Sequence, residues 1–219
     1  MIWSISALSL MQNSSKMYCF FKRGFDLISA LCLFLVISPL FLVLCIIVRL
    51  KLGSPIFFKQ ERSGFGGKTF NILKFRTMTN AKDKDGNLLP DEERFTSFGR
   101  WLRSCSLDEL PELINIIRGD MAVIGPRPLP PMYNDYYTEY ERNRFKVRGG
   151  LIPPESMYYD SFVTWDQQLK YEADYANQMS LTIDVKILVS VFKTIFRRTE
   201  TDYGEYVREP LNIERLKQQ

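Results

Sequence analysis

The sequence predicts an α+β fold for a monotopic membrane protein, with a broken membrane helix near the N-terminus, a small β-hairpin and amphipathic helices at the membrane interface. Three segments carry this prediction: an uncharged apolar run over 27–48, two β-type segments around a glycine-rich turn at 62–67, and helical apolar spacing over 182–198. The 219 residues are enough for one domain with a core. The expected parts are an N-terminal tail at 1–17, a membrane helix at 18–52, a cytoplasmic domain at 53–198 and a C-terminal tail at 199–219.

The apolar run reads "LISALCLFLVISPLFLVLCIIV", and about 22 helical residues reach about 33 Å, enough to cross a bilayer core. It is too long for a secretory signal peptide, and no small-residue cleavage site follows it. Ser38-Pro39 interrupts the run, because proline lacks a backbone donor and bends helices, while the Ser38 hydroxyl can bond the carbonyl left free. Two paths fit: a re-entrant helix that returns to its side of entry, and a kinked helix that spans the membrane.

Basic residues stand at both ends of the apolar run. Lys22 and Arg23 precede it, and Arg49 and Lys51 follow it. Because lysine and arginine are enriched at the cytoplasmic ends of membrane helices, both ends favour the cytoplasmic face. This symmetry favours the re-entrant path, although the residues alone leave the spanning path open.

A β-hairpin is predicted after the membrane segment. "SPIFFKQ" at 54–60 and "KTFNILKFRTM" at 68–78 flank the turn "RSGFGG". The turn lacks the lysine-serine and helix start of a phosphate-binding loop, so an ordinary hairpin turn is the better interpretation. Residues 79–97 are polar and rich in turn residues, which predicts a surface loop.

Composition excludes several classes of chemistry. The chain has no histidine, which rules out Ser-His-Asp catalysis, a Cys-His pair and a His-ligated zinc site. The net charge of +4 is too small to indicate nucleic acid binding. The four cysteines, Cys19, Cys32, Cys45 and Cys105, show no CxxC spacing and are expected to be reduced. We expect Cys105 to be a small buried thiol.

Alternating cations mark the segment "ERNRFKVRG". On an extended strand Arg142, Arg144, Lys146 and Arg148 would share one face. That face would be either simply solvated or a surface that meets anionic lipid headgroups or phosphates.

An amphipathic helix with a basic end is predicted over 182–198. Asp184 is one of its polar positions, and its apolar face comprises Ile187, Leu188, Val191, Phe192 and Ile195. Such a helix fits either the core or the membrane interface. The last 20 or so residues are highly charged and are expected to form a loosely ordered tail.

Two adjacent acids lie in "SLDELPELINIIRGDMAVIGPRP", residues 106–128. Ser106 and Glu109 match the S-x-x-E capping box, which predicts a helix start there, with Pro111 near its first turn. Asp108 and Glu109 then have a purely structural interpretation, since the positive end of a helix dipole favours acids.

The surroundings of the acids indicate a functional alternative. Arg103 lies upstream, Arg127 stands between two prolines, and Asp120 occupies the turn "RGDM". Arginines near a helix N-terminus can bind phosphate, and a pair of carboxylates can hold Mg²⁺ against phosphate oxygens. Such cations would relieve the repulsion between an attacking carboxylate and a pyrophosphate, and the helix dipole would keep Asp108 ionised.

A Ser-Pro-broken membrane run followed by "KFRTM", "RSCSLDELPEL", "INIIRGDMAVIGPRP" and "KVR" resembles the bacterial sugar transferase family, the monotopic phosphoglycosyl transferases, in its minimal form. The resemblance covers about residues 18–198. It implies Mg²⁺-dependent transfer of a phosphosugar from a UDP-sugar to a polyprenyl phosphate at the cytoplasmic face of the bacterial inner membrane. That reaction would start assembly of a lipid-linked glycan for capsule, O-antigen, exopolysaccharide or glycoprotein.

The resemblance also implies roles for individual residues. Asp108 would be the nucleophile that forms a phosphosugar–aspartyl intermediate with loss of UMP, and Glu109 its partner in metal or proton handling. Arg103 and Arg127 would contact phosphate or nucleotide. Further substrate-binding residues would be Lys74, Arg76, Asp120 and Arg148. The re-entrant anchor would comprise Lys22, Arg23, Ser38 and Pro39. The resemblance implies contact with membrane lipids and allows a homodimer.

One segment departs from the family pattern. The family continues after the arginine with "PGITG", whereas Arg148 is followed here by "GGLIPPESMYYDSFVTW", and no matching later arginine is present. Two other function classes therefore stay open: an inactive transferase fold that acts as a membrane-anchored interaction protein, and a metal-dependent phosphohydrolase that uses the same acids with water as acceptor.

Overall fold

The computed structural model describes residues 3–158, 163–197 and 208–217. Seven α-helices are described: α1 (Trp3–Leu52), α2 (Asp91–Arg94), α3 (Ser97–Ser104), α4 (Glu112–Arg118), α5 (Trp165–Gln178), α6 (Leu181–Arg197) and α7 (Leu211–Leu216). The described strands are β1 (Phe57–Ser63), β2 (Thr69–Phe75), β3 (Met121–Ile124) and β4 (Gly149–Ile152), in two sheets of two strands each. Helices with small sheets confirm the α+β prediction.

The chain divides into two compact units, which are described separately. The first unit contains the described residues up to Asp26, the hairpin tip Arg62–Phe70 and the described residues from Asp120 onward. The second unit contains Leu27–Glu61 and Asn71–Gly119.

Helix α1 contains the apolar run. Within the described residues, Met17–Leu52 is the one helical stretch long and apolar enough to cross a membrane, and an 18-residue segment of it has a mean hydropathy of 3.2. The helix continues through Pro39, and the Ser38 hydroxyl donates a 2.8 Å hydrogen bond to the Leu35 carbonyl. That carbonyl is the one that Pro39 cannot bond, so the predicted role of Ser38 is confirmed. The re-entrant path stays a prediction. Residues 3–17, expected to be a tail, belong to the same helix.

The core of the second unit forms where the C-terminal half of α1 meets β2 and α3. Phe41, Leu44 and Val48 are buried against Phe75 and Leu102. These α1 positions recur every three or four residues, so they share one helix face. The opposite face is exposed and apolar; Leu42, Val43, Ile46 and Leu50 lie on it.

The predicted hairpin is confirmed as β1 and β2, which pair in one sheet. Its glycine-rich turn contains a short 3-10 segment, Phe65–Gly67, with Gly66 at φ 66°. Residues 79–97 form the expected connection, which includes the single-turn helix α2.

Strands β3 and β4 form a parallel pair in the first unit, with Ala122 opposite Gly150. A Cβ atom on Gly150 would lie 2.0 Å from the Gly125 amide nitrogen, and one on Gly125 would lie 2.3 Å from the Arg148 carbonyl oxygen. The backbones approach too closely for any side chain. This close approach explains why glycine is required at position 150 of the unusual Gly149-Gly150 pair.

Two predictions in the first unit are wrong. The alternating cations do not lie on a strand, because Glu141–Lys146 is a 3-10 helix, and Arg144 is buried while Arg142 and Lys146 are exposed. The C-terminal segment is not a loose tail over 208–217, since α7 buries Leu211 completely. The rest of that predicted tail lies outside the described residues.

Helix α6 confirms the predicted amphipathic helix, but its buried and exposed positions differ from the prediction. Ile187 is fully buried, and Leu181, Val185, Val189 and Phe192 form an exposed apolar stripe. Asp184, one of the predicted polar positions, is buried. Its carboxylate accepts hydrogen bonds from Tyr18 (2.7 Å), Lys22 (2.8 Å) and Tyr175 (2.7 Å).

Candidate active site

The acid pair lies in a tight 3-10 turn of the second unit. Ser106 has a left-handed backbone (φ 55°) and caps nothing with its side chain, and the turn Leu107–Glu109 precedes α4. Helix α4 begins only at Glu112, directly after Pro111. The predicted capping box at Ser106 is therefore wrong, and the helical structure that begins there is a 3-10 turn, with the α-helix starting only at Glu112.

Asp108 is a buried carboxylate, 8% exposed. Burial raises its pKa above the ordinary value, Lys74 and Arg103 lower it, and Glu109 raises it. Asp108 lies in the 3-10 turn that precedes α4, so the expected effect of a helix dipole on its ionisation stays a prediction. The two nearby cations favour the ionised form. Its carboxylate accepts no hydrogen bond from any side chain that the structure describes.

Lys74, on strand β2, connects the turn to the start of α4. Its ammonium lies 2.6 Å from a Glu109 carboxylate oxygen and 3.2 Å from one of Glu112. Glu112 is 3% exposed and was missed in the sequence. The i, i+3 spacing of acids in "DELPEL" could have indicated Glu112, but Lys74, the lysine that pairs with Glu112, lies 38 residues upstream in sequence.

Arg103 is held at the end of α3, near the acids. Its Nε donates a 3.0 Å hydrogen bond to the Thr77 hydroxyl, and its guanidinium lies 4.4 Å from the centre of the Phe95 ring. Gly99 permits this arrangement, because a Cβ there would lie 1.8 Å from the Thr77 carbonyl oxygen.

Arg76 differs from the other predicted substrate-binding cations. It is 6% exposed and donates 3.1 Å hydrogen bonds to the carbonyls of Pro55 and Met78. Burial lowers its pKa, as does the charge of Arg94. This geometry makes Arg76 a brace for the chain around β2, and its predicted role in substrate binding stays a prediction.

Arg127 lies in the first unit, in the segment Pro126-Arg127-Pro128. Both prolines are buried, while Arg127 is exposed. Its guanidinium makes no hydrogen bond to any described residue, so the charge is available to an anion. Asp120, also in this unit, follows the left-handed Gly119 that ends α4.

A cationic pocket in the first unit brings together three predicted residues. Lys22, Arg23 and Arg148 line a cavity of about 210 Å³, together with Lys146. Lys22 also pairs with Asp184 at 2.8 Å and with Asp26 at 3.6 Å, so its charge is engaged by two carboxylates of the protein itself. Arg148 lies over the Phe65 ring at 5.8 Å.

Cys105 is exposed, so the expectation of a buried thiol is wrong. All four cysteines are free, as expected.

The predicted metal pair is compatible with Mg²⁺ but does not form a complete ligand set. No cluster of three or more acids or cysteines suited to a metal occurs among the described residues. Mg²⁺ commonly binds one or two carboxylates and completes its shell with water and substrate phosphates. Asp108 fits such a role, because burial beside Glu109 leaves its negative charge incompletely balanced.

The long exposed apolar helix is consistent with membrane association. The family model described as "Bacterial sugar transferase" matches residues 17–198. The chain therefore belongs to the bacterial sugar transferase family.

Relatives agree with this assignment. The chain is 43% identical over 167 residues to the "Uncharacterized sugar transferase EpsL" of Bacillus subtilis, covering 76% of this chain and 83% of that protein. It is 35% identical over 179 residues to the UDP-glucose:undecaprenyl-phosphate glucose-1-phosphate transferase of Caulobacter vibrioides, covering 77% and 67%. It is also 35% identical over 191 residues to the exopolysaccharide production protein ExoY of Sinorhizobium fredii, covering 80% and 83%.

Proposed function

We propose that this protein transfers a phosphosugar from a UDP-sugar to a polyprenyl phosphate, releases UMP and thereby starts assembly of a lipid-linked glycan. The observation that carries the proposal is the Asp108 carboxylate, buried within the electrostatic reach of Lys74 and Arg103 in the segment that matches the family. The name of the C. vibrioides relative supports this donor and acceptor class, and the S. fredii relative supports an exopolysaccharide product.

The proposed chemistry has two displacements at one phosphorus. An Asp108 oxygen attacks the phosphorus that carries the sugar, the bond to the bridging oxygen breaks, and the electron pair leaves with UMP. An oxygen of the polyprenyl phosphate then attacks the same phosphorus. The Asp108 carboxylate leaves, and the product is a polyprenyl diphosphate sugar.

Cations make the first attack feasible, because a carboxylate and a pyrophosphate repel each other. Lys74 and Arg103 favour the ionised form of Asp108. Arg127 offers an exposed guanidinium, which suits the oxygens of a phosphate. Glu109 and Asp108 would hold Mg²⁺, which supplies charge neutralisation at the phosphate oxygens when bound.

We also propose that α1 is a re-entrant anchor on the cytoplasmic face. Lys22 and Arg23 precede the apolar run, and Arg49 and Lys51 follow it, so both of its ends favour the cytoplasmic face. In the described chain after α1, no helix is long and apolar enough to cross a membrane. The basic residues at both ends of the run, together with Pro39 inside it, therefore support entry and return on one side.

Replacing Ser38-Pro39 by Ala-Leu tests this path, because an unbroken apolar helix is long enough to span. A cysteine at Ser14, in a background without the four native cysteines, is treated in intact cells with a membrane-impermeant thiol reagent. The parent is expected to stay unlabelled until the membrane is permeabilised, and the Ala-Leu variant to be labelled. Labelling of the parent from outside would contradict the re-entrant path.

The activity test measures UMP from purified protein in lipid nanodiscs with Mg²⁺ and a panel of UDP-sugars, beginning with UDP-glucose. Without acceptor we expect a single stoichiometric release of UMP, and with undecaprenyl phosphate repeated turnover. EDTA should stop turnover and added Mg²⁺ should restore it. Repeated UMP release without acceptor would indicate a phosphohydrolase, and no release from any donor would indicate an interaction protein.

A further inference from the structure

We propose that Arg144 and Glu172 are positioning residues for Arg127: the two side chains clamp the peptide groups on either side of this arginine and fix where its guanidinium points. The inference rests on the proposed function, in which Arg127 contacts the phosphates of the donor.

The clamp holds both backbone polar groups of Arg127. Its amide donates a 3.0 Å hydrogen bond to a Glu172 carboxylate oxygen, and its carbonyl accepts one from the Arg144 guanidinium. The preceding carbonyl, of Pro126, accepts a 2.9 Å bond from the Gly150 amide. With prolines fixing φ on both sides, little backbone freedom is left to this segment.

An ion pair joins the two arms of the clamp. Arg144 Nη2 lies 2.8 Å from the second carboxylate oxygen of Glu172, and both side chains are almost completely buried, at 2% and 0% exposure. A planar guanidinium suits this position, because it presents several donors in a fixed fork. Its Nη1 donates to the Tyr137 hydroxyl at 2.6 Å.

A second layer fixes the Glu172 arm. Gln168, one turn earlier on α5, donates a 3.0 Å hydrogen bond to the same Glu172 oxygen that binds the Arg127 amide. Arg208 donates a 2.6 Å bond to Gln168 and lies 3.6 Å from the centre of the Trp165 ring. The support therefore extends from α5 to the segment before α7.

An ion pair with only a structural role would not need to contact Arg127, the exposed residue between two buried prolines. Here both hydrogen bonds from the clamp to that segment go to Arg127, whose side chain is exposed. A charged group held in advance at the substrate phosphates loses little entropy on binding, whereas a displacement of about 1 Å costs about a hundredfold in rate.

The test is Arg144→Lys, which keeps a positive charge beside Glu172 and removes the fork that reaches the Arg127 carbonyl. The matched control is Arg215→Lys, because Arg215 also binds two carboxylates, Glu141 and Asp166, each at 2.7 Å. We expect Arg144→Lys to lower kcat/KM for the UDP-sugar by about tenfold to a hundredfold, and Arg215→Lys to leave it within about threefold.

Two readouts separate positioning from general support. In an Arg127→Ala background, Arg144→Lys should cost nothing further, because the clamp acts through the missing guanidinium. Equal losses in both backgrounds would overturn the proposal. Hydrogen exchange of a peptide covering 123–129 should speed up in Arg144→Lys and not in Arg215→Lys.

The exchange measurement does not depend on activity. If the wild type released no UMP from any donor, the proposed function would fail, while unchanged exchange at 123–129 would refute the clamp by itself. If Arg144→Lys does not fold, Glu172→Gln in the same two backgrounds gives the same comparison.

Discussion

Two buried carboxylates, Asp108 and Glu172, differ in how their charge is balanced. Glu172 lies 2.8 Å from Arg144 and accepts hydrogen bonds from Gln168 and the Arg127 amide. Asp108 accepts no bond from a described side chain, and burial raises its pKa. A buried acid held by an ion pair and hydrogen bonds supports the fold, whereas a buried acid that no described side chain bonds is available for chemistry.

The cations around the two acids differ in the same way. Arg144 is locked between Glu172, Tyr137 and a backbone carbonyl. Lys74 bonds Glu109 and Glu112 and acts on Asp108 only through space. Asp108 therefore has no side-chain partner among the described residues, whereas Glu172 has an ion pair and two hydrogen bonds.

Exchanging each acid for its amide should separate activity from stability. Asp108→Asn should lower turnover at least about a thousandfold, which is the scale expected when a nucleophile is lost. Its Tm should be unchanged or higher, because a neutral amide tolerates burial better than an unbonded carboxylate. Glu172→Gln should lower Tm, since breaking a buried ion pair costs about 3–5 kcal/mol. Thermal unfolding and UMP release in nanodiscs measure both effects. An active Asp108→Asn protein would contradict the nucleophile assignment.

Removing the charge of Lys74 should change the pH dependence of activity. Lys74 lowers the pKa of Asp108, so in Lys74→Gln that pKa rises and a smaller fraction of Asp108 is ionised at a given pH. The acidic limb of the kcat/KM profile should move to higher pH, with a larger loss at pH 6 than at pH 8. Lys59→Gln, at an exposed lysine on β1, is the control. Parallel profiles for the two variants would show that Lys74 does not tune Asp108.

The smallest effect is expected at Glu155, in the segment that departs from the family. Burial and the charge of Glu172 raise its pKa to about 8, against the opposing charges of Arg127 and Arg144. The folded state therefore keeps a proton that the unfolded state loses above pH 4.5, so this group makes stability fall as pH rises from about 4.5 to 8.

Glu155→Gln removes that dependence, because glutamine does not titrate. The variant should gain Tm over the wild type at pH 8.5 and little at pH 5, and each kcal/mol corresponds to about 2–4 °C for a chain of this size. Scans of intrinsic tryptophan fluorescence at the two pH values measure it. An equal Tm difference at both would mean that Glu155 is not protonated in the folded protein at pH 7.

The local signals in the sequence predicted the apolar helix, the hairpin and the amphipathic α6, because each depends on spacing within a few residues. The capping box shows the limit of such signals. Thr164 and Gln167 form one at the start of α5, whereas Ser106 and Glu109 match the pattern and do not, since Lys74 binds the Glu109 side chain instead.

The partners of the candidate site come from distant parts of the chain. Lys74 is 35 residues from Glu109, and Arg144 is 28 residues from Glu172. The alternating cations of "ERNRFKVRG" therefore predicted a strand with a cationic face, whereas Arg144 of this segment forms a buried ion pair with Glu172. The acids themselves were visible as a motif, but which acid is bonded and which is not depends on tertiary packing.

The most direct test of the central claim is to trap the adduct on Asp108. Wild-type protein in nanodiscs is mixed with Mg²⁺ and an accepted UDP-sugar without polyprenyl phosphate, and is then analysed by intact-protein and peptide mass spectrometry. The account predicts a mass gain of one phosphosugar on the peptide containing Asp108, lost on addition of undecaprenyl phosphate and absent from Asp108→Asn. Turnover without any adduct, or an adduct on another residue, would contradict it.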